Sequence, residues 1–281
     1  MKLMFNAIQS STSQEEKTYI ICVQAGQSNA ESNSGEVVPT IIVPPPYDAL
    51  QTNIIKTSFN IPNFDFQKQQ YNVNSQGRWK SGEMPPVPYS QDRAGVEVKL
   101  WKDIADATGK NILLIHLAYG GEGFRSGPSG GNGAFNLNVG TGTTGIFWTH
   151  YAAAWTSLRA YIAANNLTTE NGFIYWFQGE SDVNNGSYFG SDLPTAFTRM
   201  RAEFGEDVHV YSGGINPVRG ASAAQFEAKQ SSYVDANYTF MSNATGRLWA
   251  DGGNDQTGVH LQMLSHFALS DEIRDLYLAS L

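Results

Sequence analysis

Along the chain, short apolar runs alternate with stretches whose apolar positions recur every three to four residues. The runs YIICVQA (19–25), NILLIHLA (111–118), GFIYWFQ (172–178), DVHVYSG (207–213) and YTFMS (238–242) read as buried strands. The periodic stretches predict amphipathic helices near 94–108, 149–165, 192–204 and 222–236, with a final one near 261–279. Strand and helix in alternation are the mark of successive βαβ units. The expected fold class is therefore α/β, a mostly parallel sheet covered on both faces.

Two stretches depart from this rhythm. Prolines such as Pro39, Pro44 and Pro85 break the pattern across residues 30–92, where TSFNIPNFDFQ (57–67) has room for a further strand and a hairpin. The glycine-rich stretch SGPSGGNGAFNLNVGTGTTG (126–145) is too long for an ordinary connection, and loops of this length tend to be functional or disordered. With 281 residues and no evident linker, the expectation is one domain over 18–281, preceded by an extension over 1–17 and carrying inserts at about 35–92 and 126–147.

Charge and composition narrow the partners. The net charge is −8 and the basic residues are scattered, which argues against nucleic acid or an anionic membrane and favours an uncharged substrate. Charged residues make up only 16%, against roughly 25% in an average soluble domain, while Gly, Asn, Ser and Thr are plentiful, a mix met in sugar-handling and particle-surface proteins. The single cysteine, Cys22, lies inside an apolar run, so no intrachain disulfide and no cysteine metal site is expected. The start has neither a clear cleavage site nor a long apolar core, so no signal peptide is expected, and no run approaches the roughly 18 apolar residues of a membrane span. Action outside the cell or on a particle surface fits this composition, with the compartment and oligomeric state left open.

In a parallel sheet, ligands bind beyond the carboxyl ends of the strands where strand order reverses. Three predicted strands end in polar, glycine-rich turns: Gly26-Gln27-Ser28-Asn29, Tyr119-Gly120-Gly121-Glu122, and Gln178-Gly179-Glu180-Ser181-Asp182. Ser28 is either a helix cap or a nucleophile beside free N–H groups. The Gly120-Gly121 turn allows an N–H to face an oxyanion, Gln178 is a candidate side-chain donor, and Glu180 is a candidate partner for a histidine. Of the five histidines, His116, His209 and His266 fall within elements and His150 begins a helix with the look of a surface residue. His260 differs, because it sits in the polar loop NDQTGVHLQ with Asp255, just before the last helix.

These pieces, AGQSN, GGEGF, WFQGESD and GVHL, with GVEVKLWKDIA (95–105) between them, resemble the SGNH hydrolase superfamily. Within it they are most similar to carbohydrate esterase family 6 acetylxylan esterases and sialate O-acetylesterase-like proteins. The resemblance covers roughly 18–280. It implies a three-layer α/β/α fold of flavodoxin-like topology and a serine esterase that deacetylates carbohydrates without metal or organic cofactor. It also implies Ser28 as nucleophile, His260 as general base, and an oxyanion hole of the Ser28 N–H, the Gly121 (or Gly120) N–H and Gln178. The family's D-x-x-H is altered, since Thr257 stands where the aspartate is usual; either Asp255 or Glu180 then orients His260. Gln27, Asn29, Tyr119, Gly120, Phe124, Trp148 and Tyr188 are candidate sugar contacts around the strand ends and the glycine-rich insert, the aromatic ones equally readable as packing. A lipase or thioesterase, a carbohydrate-binding module with weak or lost catalysis, and a particle-surface structural protein are the rival readings.

Overall fold

A computed structural model describes residues 18–30, 54–58, 65–68, 71–73, 79–81, 95–127, 131–138, 144–217, 221–241, 247, 249 and 261–281. Its strands are β1 (Thr18–Gly26), β2 (Ile54–Ser58), β3 (Asp65–Lys68), β4 (Tyr71–Val73), β5 (Trp79–Ser81), β6 (Asn111–Ala118), β7 (Ser126–Gly127), β8 (Gly131–Asn132), β9 (Thr168–Phe177), β10 (His209–Gly213) and β11 (Tyr238–Met241). Its helices are α1 (Val96–Thr108), α2 (Ile146–Asn165), α3 (Leu193–Phe204), α4 (Ala221–Ser232) and α5 (Met263–Ala279), with a π-helical turn over Tyr188–Asp192.

The main sheet runs β11-β10-β9-β1-β6-β2-β3. Every neighbouring pair is parallel except β2 and β3, so TSFNIPNFDFQ does feed a hairpin at the sheet edge. Without that edge pair, the strands numbered by sequence lie in the order 2-1-3-4-5, the flavodoxin-like arrangement. The small pairs β4-β5 and β7-β8 stand apart from it.

Because β1 lies between β6 and β9, both of its faces must be apolar. Ile20 and Cys22 point to one layer, with Trp101 and Ile104 of α1 and Leu269 and Ile273 of α5. Ile21, Val23 and Ala25 point to the other, with Phe147, Tyr151 and Leu158 of α2 and Phe197 and Met200 of α3. The fold is a three-layer α/β/α sandwich. Cys22 is a core residue, and burial pushes its thiol up to about 12, so it has no thiolate reactivity at neutral pH.

Three boundaries moved relative to the sequence pattern. β9 begins at Thr168 because TTEN, though polar, pairs at the amino end of the sheet, where Glu170 meets Lys110 at 2.5 Å. α2 begins at Ile146, three residues earlier than its periodicity indicates, and α4 ends at Ser232. Residues 1–17 and most of the insert over 35–92 lie outside the described residues.

Gly26 closes β1 at φ 138°, and a Cβ there would lie 2.0 Å from the Phe177 carbonyl oxygen. No side chain fits between the two backbones. Gly26→Ala should therefore lower stability by about 3 kcal/mol or more, combining backbone strain with steric overlap. Thermal unfolding followed by circular dichroism, with a fall in Tm of several degrees or loss of soluble protein, is the check.

Candidate active site

The sheet order reverses between β1 and β9, and the turns after β1, β6 and β9 meet there. Gly26 pairs with Ala118 on one side and Phe177 on the other. Beyond the pairing, the Tyr119 N–H donates to the Gly26 carbonyl at 2.9 Å and the Gln27 N–H to the Phe177 carbonyl at 2.8 Å. All three strand ends are thus fastened into one surface.

Ser28 occupies the second position of a turn closed by the Ala30 N–H on the Gln27 carbonyl at 2.8 Å. In such a turn the second residue's N–H points away from the closing bond, and among the described residues the Ser28 N–H has no acceptor. The side chain is largely covered, at 9% exposure. On the neighbouring strand, the Glu122 N–H closes a turn on the Tyr119 carbonyl at 3.3 Å, with Gly121 third in the turn. Gly121 has φ 72°, a conformation glycine adopts without penalty, and both Gly120 and Gly121 are exposed. Two turns on adjacent strands, after β1 and β6, therefore lie side by side beyond the sheet.

Below the Ser28 turn, the Trp101 Nε1–H donates to Gln24 Oε1 at 2.9 Å, and Gln24 Nε2 donates to the Ala30 carbonyl at 2.7 Å. His116 Nε2 lies 2.8 Å from the same carbonyl. Gln24 and His116 face each other across β1 and β6, so these buried groups hold the far end of the turn from beneath. His116, His209 and His266 lie within β6, β10 and α5, and His209 Nε2 meets Thr239 Oγ1 at 2.8 Å. His150 is not a surface residue: α2 starts before it, so its ring turns inward at 8% exposure, stacks on Tyr119 and meets the Tyr119 hydroxyl through Nδ1. Burial lowers its pKa, favouring the neutral ring.

Gln27 and Asn29 act as clamps. Gln27 Oε1 accepts the N–H groups of Gly179 and Ser181 at 3.2 and 3.4 Å, and its Nε2 donates to Ser181 Oγ at 3.3 Å. Asn29 is fully buried; its Nδ2 donates to Glu180 Oε1 at 2.6 Å while its Oδ1 accepts the Leu261 N–H at 2.9 Å. One amide therefore joins the Ser28 turn, the Glu180 carboxylate and the chain directly after residue 260. His260, Asp255 and Thr257 themselves lie outside the described residues.

Other candidates fall elsewhere. Gln178 is fully buried and its Nε2 donates to Asp182, so its amide supports the turn from within and is not at the surface. Tyr188 and Phe124 are core residues: both rings are covered, they pack edge to face at 5.6 Å, and the Tyr188 hydroxyl donates to the Gln178 carbonyl at 3.1 Å. The π-helical turn brings Tyr188 inward, which removes it as a sugar contact. Trp148 is also packed, with its Nε1–H donating to the Phe135 carbonyl at 3.1 Å.

Asp182 was the polar residue whose role the pattern did not reveal. It accepts the Phe124 N–H at 3.0 Å, the Asn185 amide at 3.1 Å, and the Gln178 amide. It thereby joins the turn after β9 to the GGEGF loop. Burial raises its pKa against the pull of those three donors.

No family model matches the sequence, and no curated protein matches it. Solved structures do. A protein from Arabidopsis thaliana aligns with a TM-score of 0.65 at 14% identity, covering 94% of this chain and 98% of its own. NanS aligns at 0.62 and 15% identity with the same coverage, and a carbohydrate acetylesterase from Xanthomonas citri at 0.54 and 13%, where 94% of this chain matches 56% of that one. At these identities the likeness shows a shared fold.

Asn29→Ala would leave a part-buried carboxylate and a buried N–H without the amide that serves both. The expected loss is about 2 kcal/mol of stability, measurable as a shift in urea midpoint at unchanged slope.

Proposed function

We propose that this protein is a serine esterase that removes O-acetyl groups from a carbohydrate. The observation that carries the reading is the Asn29 bridge, which gathers the Ser28 turn, Glu180 and the residue following His260 at the reversal point of the sheet. The fold shared with a carbohydrate acetylesterase supports the coarser part, hydrolysis of an ester on a sugar.

In this reading His260 takes the proton from Ser28 Oγ as that oxygen attacks the acetyl carbonyl. The N–H groups of Ser28 and Gly121 receive the developing oxyanion. The tetrahedral intermediate collapses, the sugar oxygen leaves with the proton from His260, and an acetyl-enzyme remains. Water, deprotonated by the same histidine, attacks the acetyl group, and acetate leaves as Ser28 is restored. The Asn29 bridge favours Glu180 over Asp255 as the carboxylate that orients His260. Gln178 supports the turn through Asp182 and does not touch the oxyanion.

The test is release of acetate from acetylated xylan and of 4-nitrophenol from 4-nitrophenyl acetate. Ser28→Ala should lower turnover by about 10⁴-fold or more, the scale seen when a nucleophile is removed. Glu180→Gln should lower it further than Asp255→Asn does. A Ser28→Ala protein as active as the parent would end the serine mechanism, and a folded parent inert on every acetyl ester would end the esterase reading.

A further inference from the structure

The glycine-rich stretch that follows the GGEGF loop has no task in the esterase reading, yet its described part is firmly built. Ser126–Gly127 and Gly131–Asn132 pair as the β7-β8 hairpin, and residues 133–135 then run as a strap between the turn after β6 and the start of α2. Toward the turn, the Phe135 N–H donates to the Gly123 carbonyl at 3.1 Å and the Ala134 N–H to Glu122 Oε2 at 3.2 Å. Toward the helix, the Gly133 carbonyl accepts the Gly145 N–H at 2.9 Å and the Ala134 carbonyl accepts the Phe147 N–H at 3.1 Å. Ala134 and Phe135 are buried, so the strap belongs to the core.

Strap and helix together hold both ends of the Tyr119–Glu122 turn. At its start, the Tyr119 ring meets Phe135 and Phe147 edge to face, with centroids 6.1 and 6.3 Å apart, and stacks on His150 at 6.0 Å. At its end, Glu122 is half-buried and its carboxylate takes the Ala134 N–H. Gly131 of the hairpin packs directly against the turn: a Cβ there would lie 2.8 Å from the Gly121 carbonyl oxygen and 2.9 Å from the Glu122 carboxyl group.

The two residues between these anchors are Gly120 and Gly121, both exposed and without a side chain to pack. Successive glycines lose more conformational entropy on ordering than any other pair, so their conformation has to be imposed by what lies on either side. Tyr119 does this at one side through its caged ring. At the other side Glu122 is the first residue with a side chain, and a carboxylate accepting a backbone N–H makes a bond about twice as strong as a neutral one. A donor held by a loop depends on such support, since a misplacement of about 1 Å costs on the order of 10²-fold in rate.

We propose that Glu122 is a positioning residue: its carboxylate, seated on the 133–135 strap, fixes the Gly120-Gly121 turn beside the Ser28 turn. The assignment rests on the esterase reading for its purpose, since there the Gly121 N–H is the second oxyanion donor. Glu122 acts through the turn and does not touch the ester. The described part of the glycine-rich insert then serves the rate of the reaction and not the choice of glycan.

The test compares the full chain with Glu122→Ala, Glu122→Gln and Gly131→Ala, by steady-state kinetics on 4-nitrophenyl acetate and by amide hydrogen exchange. Glu122→Ala and Gly131→Ala should lower kcat by about 10- to 100-fold while KM stays within about threefold, the pattern of an interaction felt only in the transition state. Glu122→Gln keeps an acceptor for the Ala134 N–H and should recover most of the lost kcat. Exchange over 119–123 should quicken in Glu122→Ala while that of β1 and β9 stays at the parent's level. A parent-like kcat in Glu122→Ala, unchanged exchange over 119–123, or a rise in KM at constant kcat, which would put Glu122 on the substrate, overturns the assignment. Glu122→Gln as slow as Glu122→Ala makes the charge itself the requirement and overturns it too. If Glu122→Ala fails to fold, Gly131→Ala decides by the same kcat and KM criteria. A parent inert on every acetyl ester ends the esterase reading separately; the exchange measurement then stands alone, with quicker exchange in Glu122→Ala keeping Glu122 as the residue that fixes the turn and unchanged exchange removing it.

Discussion

Parallel pairing of β1 on both sides is the constraint from which the site follows. A strand held by β6 and β9 along nearly its whole length, with one irregularity at Cys22, cannot easily shift, so the turn that leaves it begins at a fixed point, with Gly26 against Phe177 and Ala118. The adjoining strands end at the same level, and their turns have nowhere to go but alongside. Position of the candidate site is thus a by-product of register, and the side chains that follow need only small adjustments.

Those adjustments are made by buried amides. Gln24 holds the turn from below, Gln27 holds the neighbouring turn by its N–H groups, and Asn29 links it to the carboxylate and to the chain before α5. An amide suits this work because it donates and accepts at once and remains uncharged, so its burial is tolerable once both ends are paired. The polar residues packed so densely after the first strand are as much scaffold as reagents. Ser28 is the one among them whose hydroxyl no described residue holds.

The layers of the fold were readable because strands covered on both faces are continuous apolar runs, as in NILLIHLA, which is a strand over its full length. The three turns could be located for the same reason, since each follows such a run. What side chains do after the strand ends was harder to read. An aromatic in a polar segment has no period to betray its direction, so Tyr188 looked like a surface platform, while a π-helical turn sends it into the core. His150 was misread because its helix starts three residues earlier than the pattern indicated. Gln178 and Asp182 lie in one turn, yet only the geometry reveals that they bond each other.

The bond between Asn29 and Leu261 joins positions 232 apart in the sequence. Contacts of such separation carry the largest loop-closure penalty and form late, after the local βαβ units have condensed. The first strand and its serine turn can therefore be in place before Leu261 docks on Asn29. Under the proposed reading, a chain halted before that docking would carry Ser28 without the partner assigned to His260. Activity, if the proposal holds, would then appear only once Leu261 has docked on Asn29, and would itself report that folding is complete.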